Sequence, residues 1–226
     1  MTTTATRLRP SLLGTAGAVV ALAVVAVVGL MHLVAPWSRH DPVRRTISEY
    51  AVGSGGWLFD VAVLGLVAAT VAVVAALVAR GLVPTTAVVL FGVWCVGLVL
   101  VVVFEKTNWS VGPSLSGSIH RYASLAAFFA LPAAGLLTAR RHRGEAWARW
   151  VTVSSLVALA SFLPIIGAII GAIALNPVLA TPWYRAVPLG LIERVLSLAE
   201  VLVVVVLGFR AARTQAPAER TALSRA

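Results

Sequence analysis

Long apolar stretches alternate with short polar clusters along the whole chain. Six of them, Leu12–Val34, Trp57–Ala79, Thr85–Phe104, Ile119–Ala139, Val151–Ala174 and Leu189–Phe209, approach or exceed the roughly 20 residues a helix needs to cross a bilayer core. Much of their content is Val, a poor helix former in water. In hydrocarbon the backbone must satisfy its own hydrogen bonds, so these runs are predicted helical all the same. Continuous runs such as Val201–Leu207 lack the apolar–polar alternation of a barrel strand. The first run follows Arg7 and Arg9, as the core of a signal peptide would. Its length exceeds the roughly 7–15 residues of such a core and no small-x-small cleavage site follows, so a retained helix is expected. The pattern predicts an all-α polytopic membrane protein, a six-transmembrane-helix bundle. Residues 1–11 form an N-terminal segment, 12–209 the membrane domain and 210–226 a polar tail.

Composition points the same way. Of 226 residues, 60% are hydrophobic and 12% charged, and the mean hydropathy is +0.96. A soluble domain is about half apolar and a quarter charged, and at this size it leaves roughly 30% of its unfolded surface exposed. An ordinary soluble globule is excluded, and so is a disordered chain. The Arg-over-Lys and Ala/Val bias points to a GC-rich bacterium, and the six apolar runs are expected in its inner membrane.

The net charge is +10, and Lys106 is the only cation that is not Arg. The cations sit between apolar runs, where membrane orientation explains them better than nucleic acid does. One side would carry 11 of them: Arg7, Arg9, Arg80, Arg140, Arg141, Arg143, Arg149, Arg210, Arg213, Arg220 and Arg225. The other would carry 7: Arg39, Arg44, Arg45, Lys106, Arg121, Arg185 and Arg194. The positive-inside rule puts both termini in the cytoplasm. The lone Cys95 excludes an intrachain disulfide and a cysteine-based zinc motif, and reads as a small buried hydrophobe.

Candidate chemistry gathers at the outer ends of the predicted helices. Ser48, Glu49 and Tyr50 lie in the first loop, before Gly53-Ser54-Gly55-Gly56. Asp60 follows one turn into the second helix, His120 and Arg121 open the fourth, and Glu193 and Arg194 open the sixth. Ionisable groups in a span usually face the bundle interior or a wet cavity. Two readings follow. The arginines snorkel and pair with carboxylates to lock the bundle, or the cluster forms an outward-facing pocket that binds a headgroup or does acid–base work. His120 is suited to acid–base work near neutral pH, or it bonds to a loop carbonyl. His32 sits near the outer end of the first helix, within possible reach of it. A metal set of His32, His120, Asp60 and Glu193 lacks any supporting spacing, so no metal and no cofactor are expected. Glu193, Ser197 and Glu200 share one helical face. Glu200 lies 11 residues from Leu189, roughly 16 Å deep at about 1.5 Å per residue. A carboxylate there is either protonated or partnered. We expect Glu200 to face the interior in its protonated form, as a structural group or a proton relay.

Gly112-Pro113-Ser114-Leu115-Ser116-Gly117 departs from a nucleophile elbow and has no α/β context. No phosphate loop and no dinucleotide fingerprint are present. Gly167 and Gly171, after Pro164, are expected to mediate close helix packing. Trp37, Trp57, Trp109, Trp147, Trp150 and Trp183 fall at predicted interfaces and read as belt anchors, leaving Trp94 in mid-span.

Three segments together resemble a known family. Ile47-Ser48-Glu49-Tyr50-Ala51-Val52-Gly53 with Gly56-Trp57-Leu58-Phe59, Gly117-Ser118-Ile119-His120, and Gly190-Leu191-Ile192-Glu193-Arg194 resemble the bacterial membrane family called domain of unknown function 998, over about Pro36 to Arg210. The resemblance implies the six-helix topology and points at Ser48, Glu49, Tyr50, His120, Glu193 and Arg194; it implies no reaction. Three function classes stay open. One is binding, sensing or partnering, with the lipid bilayer, a lipid headgroup or another membrane protein as partner. Another is a lipid-directed hydrolase or transferase using His120 with Glu49, Asp60 or Glu193. The third is a proton-coupled small-solute transporter using Glu200.

Overall fold

The computed structural model describes residues 9–53, 55–106, 112, 114–179 and 183–213. Seven α-helices follow in order: α1 Pro10–Met31, α2 Gly56–Ala79, α3 Thr85–Val103, α4 Leu115–Arg140, α5 Ala146–Ala160, α6 Leu163–Leu179 and α7 Leu189–Arg213. Short 3-10 turns occur at Trp37–Arg39, Ile47–Ala51 and Trp183–Arg185, and no strand occurs among the described residues. The α-helices supply six spans long and apolar enough to cross a membrane, α5 and α6 counting as one over Ala146–Ala174.

The fifth span differs from the continuous helix expected over Val151–Ala174, and Pro164 is the reason. Its ring cannot coexist with the carbonyl four residues back, and it brings no N–H. The helix therefore stops at Ala160 and restarts at Leu163. Phe162, in the break, stacks on Phe129 of α4 at 4.4 Å. Beyond the break α6 has few contacts with the bundle. Nothing lies within 4 Å of a Cβ built on Gly167 or Gly171. The close packing expected of this G-x-x-x-G is thus not formed among the described residues.

α7 is the central helix. It packs against α1, α2, α4 and α5, while α1–α2 and α3–α4 form the other main pairs. Lipid tails are as apolar as leucine, so close packing rather than water exclusion must hold such helices together. The α1–α7 crossing shows how. A Cβ on Gly14 would lie 2.6 Å from the Gly208 carbonyl oxygen, so only glycine permits this approach. Trp94, Phe91, Leu131, Val151, Val203 and Leu207 fill the core around it. Val61, Leu64, Val71 and Val78 of α2 and Val89, Val93 and Val96 of α3 remain exposed, as a lipid-facing surface should.

Two belt tryptophans have other work. Trp37 is folded inward and donates its Nε1–H to the Tyr50 carbonyl at 3.3 Å. Trp147 donates to Glu145 Oε2 at 2.6 Å beneath the Arg210 guanidinium. Trp57 and Trp150 are exposed. Trp109, the Trp183 side chain and residues 214–226 of the tail lie outside the described residues.

Candidate functional site

The first loop docks on the start of α7, and Gly190 makes this possible. A Cβ there would collide with the Arg45 carbonyl oxygen and lie 2.7 Å from that of Pro42. The Leu191 N–H donates to the Val43 carbonyl at 3.1 Å. With the two backbones in contact, the second turn of α7 presents Glu193 and Arg194 to the loop.

Arg194 is the hub. Its Nε–H donates to His32 Nε2 at 2.7 Å, and its other nitrogens donate to the Arg45 carbonyl at 2.8 Å, the Gly190 carbonyl at 2.9 Å and the Tyr50 hydroxyl at 3.0 Å. His32 Nδ1 lies 2.7 Å from the Val28 carbonyl. A carbonyl accepts only and a guanidinium donates only, so the ring must carry its proton on Nδ1. Tyr50 is completely buried, with His32 and His40 edge-on to its ring at 5.3 and 5.6 Å. Glu193 Oε2 accepts the Ile47 N–H at 2.6 Å, which ties the 3-10 turn Ile47–Ala51 to α7.

A second set of charges sits beside this one. Glu49 pairs with Arg45 and Lys106, each at 3.2 Å, and accepts from the Thr46 hydroxyl at 3.3 Å. Lys106 also donates to Thr46 Oγ1. Burial alone would push the Glu49 carboxyl up, but Lys106, Arg45 and Thr46 outweigh it and hold the group below the usual glutamate range.

Beneath the Arg194 layer lies a cavity of about 380 Å³, walled by α1, α2, α3, α4 and α7. Its wall is overwhelmingly apolar. His32, Glu193 and Arg194 form its polar roof, and Glu200 and Trp94 lie deeper, beside Leu98 and Val201. Gly29 and Leu198 also line it and are exposed on the outside of the bundle, so its wall reaches the lipid-facing surface. Glu200 is 3% exposed and Trp94 1%. The indole lies within interaction range of the carboxyl. Even so, neither Glu200 Oε1 nor Trp94 Nε1 meets hydrogen-bond geometry with any partner among the described residues. Buried polar atoms are rarely left so.

A family model described as "Protein of unknown function (DUF998)" matches residues 15–210. The chain belongs to the DUF998 family. No curated protein and no solved structure matches it.

Of the residues singled out in the sequence, this DUF998 protein brings Glu49, Tyr50, Glu193 and Arg194 together at the loop–α7 junction. Ser48 joins their edge through Thr46, its hydroxyl 3.1 Å from Thr46 Oγ1. His120, Asp60 and Arg121 do not join them. His120 is buried at the start of α4 with Nδ1 2.9 Å from the Phe104 carbonyl, which ties α4 to the end of α3; it does not line the cavity. His32 engages Arg194 rather than His120. Asp60 lies near Glu105 and is not among the hydrogen-bond partners of Arg194. Arg121 is exposed on the outside of α4. No group of three His, Cys, Asp or Glu residues fit to hold a metal occurs among the described residues.

Trp94 was missed as a site residue. A signal existed: it is the mid-span tryptophan, and a buried indole N–H needs an acceptor. Lys106 and Arg45 were seen only as charges to be counted. Their convergence on Glu49 depends on how the loops fold back.

Proposed function

We propose that this DUF998 protein is a binding protein of the bacterial inner membrane. Its cavity would hold an uncharged, mostly apolar molecule that carries one oxygen-containing polar group. One observation carries the reading: an apolar cavity in whose depth Glu200 Oε1 and Trp94 Nε1 have no hydrogen-bond partner among the described residues. A hydroxyl or carbonyl oxygen placed between them would supply those partners, and the rest of the ligand would match the valine, leucine and phenylalanine walls. The reach of the wall to the lipid-facing surface at Gly29 and Leu198 favours entry from the bilayer.

The alternatives gain less support. A lipid-directed enzyme needs His120 beside a carboxylate in one cavity, and His120 is engaged with the Phe104 carbonyl outside it. A transporter needs a polar path beyond Glu200, where Val203, Val204 and Leu207 are buried in the apolar core. The cation imbalance supports both termini in the cytoplasm, with the Arg194 layer outward.

The test is extraction. Full-length protein purified from native membranes is stripped with organic solvent, and the extract is compared by mass spectrometry with that of Ser197→Leu, which fills the cavity wall, and Glu200→Leu, which removes the deep polar group. Wild type should yield one apolar, oxygen-bearing species near stoichiometry, and both variants should lose it while keeping native melting. The same bulk-lipid profile from all three would refute the reading.

A further inference from the structure

The opposite end of the bundle, where α4 turns into α5, bears a second site unrelated to the cavity. Arg140 closes α4, Arg143 stands in the turn and Arg149 lies on the first turn of α5. All three border a groove of about 510 Å³ whose wall continues along Leu136, Val153 and Leu156. Arg149, Val153 and Leu156 stand at i, i+4 and i+7, so one face of α5 passes from cation to hydrocarbon within two turns. Val153 and Leu156 are 47% and 52% exposed.

At the loop end Arg45 and Lys106 are matched by Glu49. Here Arg140, Arg143 and Arg149 form no ion pair among the described residues. The one acid in the groove, Glu145, is already engaged. It accepts from the Trp147 indole at 2.6 Å and pairs with Arg210 at 2.9 Å and His142 at 3.4 Å. The Trp147 hydrogen bond, with Arg210 and His142 behind it, holds this carboxyl below the usual range against a smaller opposing effect of burial. A net positive groove remains, at the height where helix ends meet lipid headgroups.

We propose that this groove is a binding site for an anionic phospholipid, its phosphate held by Arg140, Arg143 and Arg149 and one acyl chain laid along Leu136, Val153 and Leu156. Guanidinium groups bind phosphate oxygens through paired, charge-assisted hydrogen bonds. Basic pockets between membrane helices take acidic headgroups for this reason. The apolar wall selects a lipid over a soluble phosphate, which would use the arginines and leave Val153 and Leu156 without a role.

Full-length protein, delipidated in neutral detergent, is titrated with phosphatidylglycerol, phosphatidylcholine and glycerol 3-phosphate and read by native mass spectrometry. Phosphatidylglycerol should be retained over phosphatidylcholine by about ten-fold or more, since each cation near a headgroup is worth several-fold in affinity. Arg140→Gln/Arg143→Gln/Arg149→Gln should abolish the preference. Arg39→Gln/Arg121→Gln/Arg185→Gln, with the same charge change at the other end, should keep it. Should the first triple variant misfold, Arg149→Gln alone should weaken retention several-fold at an unchanged melting temperature. Equal retention of both lipids, equal loss in both triple variants, or glycerol 3-phosphate competing as well as phosphatidylglycerol would each overturn the proposal.

Discussion

Arg194 holds the first loop on α7 through hydrogen bonds to His32, Tyr50 and Arg45, and makes a fourth to Gly190 of its own helix. Replacing it with Met keeps most of the volume and removes every donor. At about 0.6 kcal/mol per bond, a typical value for membrane proteins, the four are worth ~2.4 kcal/mol. The Tyr50 hydroxyl, on a residue with no exposed surface, then loses its partner, and a stranded buried polar group adds about 1–3 kcal/mol. Arg194→Met should therefore lose about 3–5 kcal/mol in denaturant unfolding of the full-length protein in mild detergent. The loss should be local. With Cys95→Ala as background, a cysteine at Ser48 should alkylate about a hundred-fold faster or more when Arg194 is absent, since each 1.4 kcal/mol is a factor of ten. Arg194→Lys separates charge from shape. A lysine places its donors at one point and cannot reach four acceptors spread around a planar fork, so it should recover less than half of the loss. Full recovery by Lys would mean that charge alone matters. Unfolding of Arg194→Met within about 0.5 kcal/mol of wild type, with unchanged alkylation, would refute the account, since that is the ordinary range of a surface change.

Gly190→Ala should destabilise by about 1–3 kcal/mol through the forced backbone shift, whereas Gly167→Ala, with open space around it, should leave the melting temperature of the same preparation nearly unchanged. Glu49 supplies a pH dependence with a definite sign. Its folded carboxyl titrates below the usual range, so its contribution is complete above the unfolded value, about 4.3, and fades as pH falls through the folded one. Melting curves should steepen their decline below about pH 4.5, and Glu49→Gln should flatten that part of the profile.

The number of spans was legible in the residues themselves. A backbone in hydrocarbon has no partner but itself, so a run of about 20 apolar residues specifies a helix whatever its neighbours do. The start of α2 came within one residue of its expected place, and its end and the start of α3 fell where expected. The break in the fifth span was written in Pro164. Hydropathy alone does not register a missing N–H. The depth of Glu200 followed from counting turns along one helix, and its burial follows from the cost of exposing an acid to lipid.

Which polar groups meet is another matter. Glu49 to Lys106 is 57 positions along the chain, Arg194 to His32 162, and Ile47 to Glu193 146. No local periodicity encodes such pairs. They depend on where the first loop comes to rest, and that is set by the bare backbone of Gly190. The shared depth of Asp60, His120 and Arg194 placed them at one level of the bundle, but depth leaves the azimuth of each side chain undetermined. Packing supplied it, turning Arg194 toward Tyr50, His120 toward Phe104 and Arg121 to the outside. The cavity is likewise a property of five helices that do not quite close around Glu200 and Trp94. Sequence by itself determined that this protein lives in a membrane and how often it crosses. Only the tertiary structure decided which of its few polar atoms meet, because packing, not local sequence, sets the direction of each side chain.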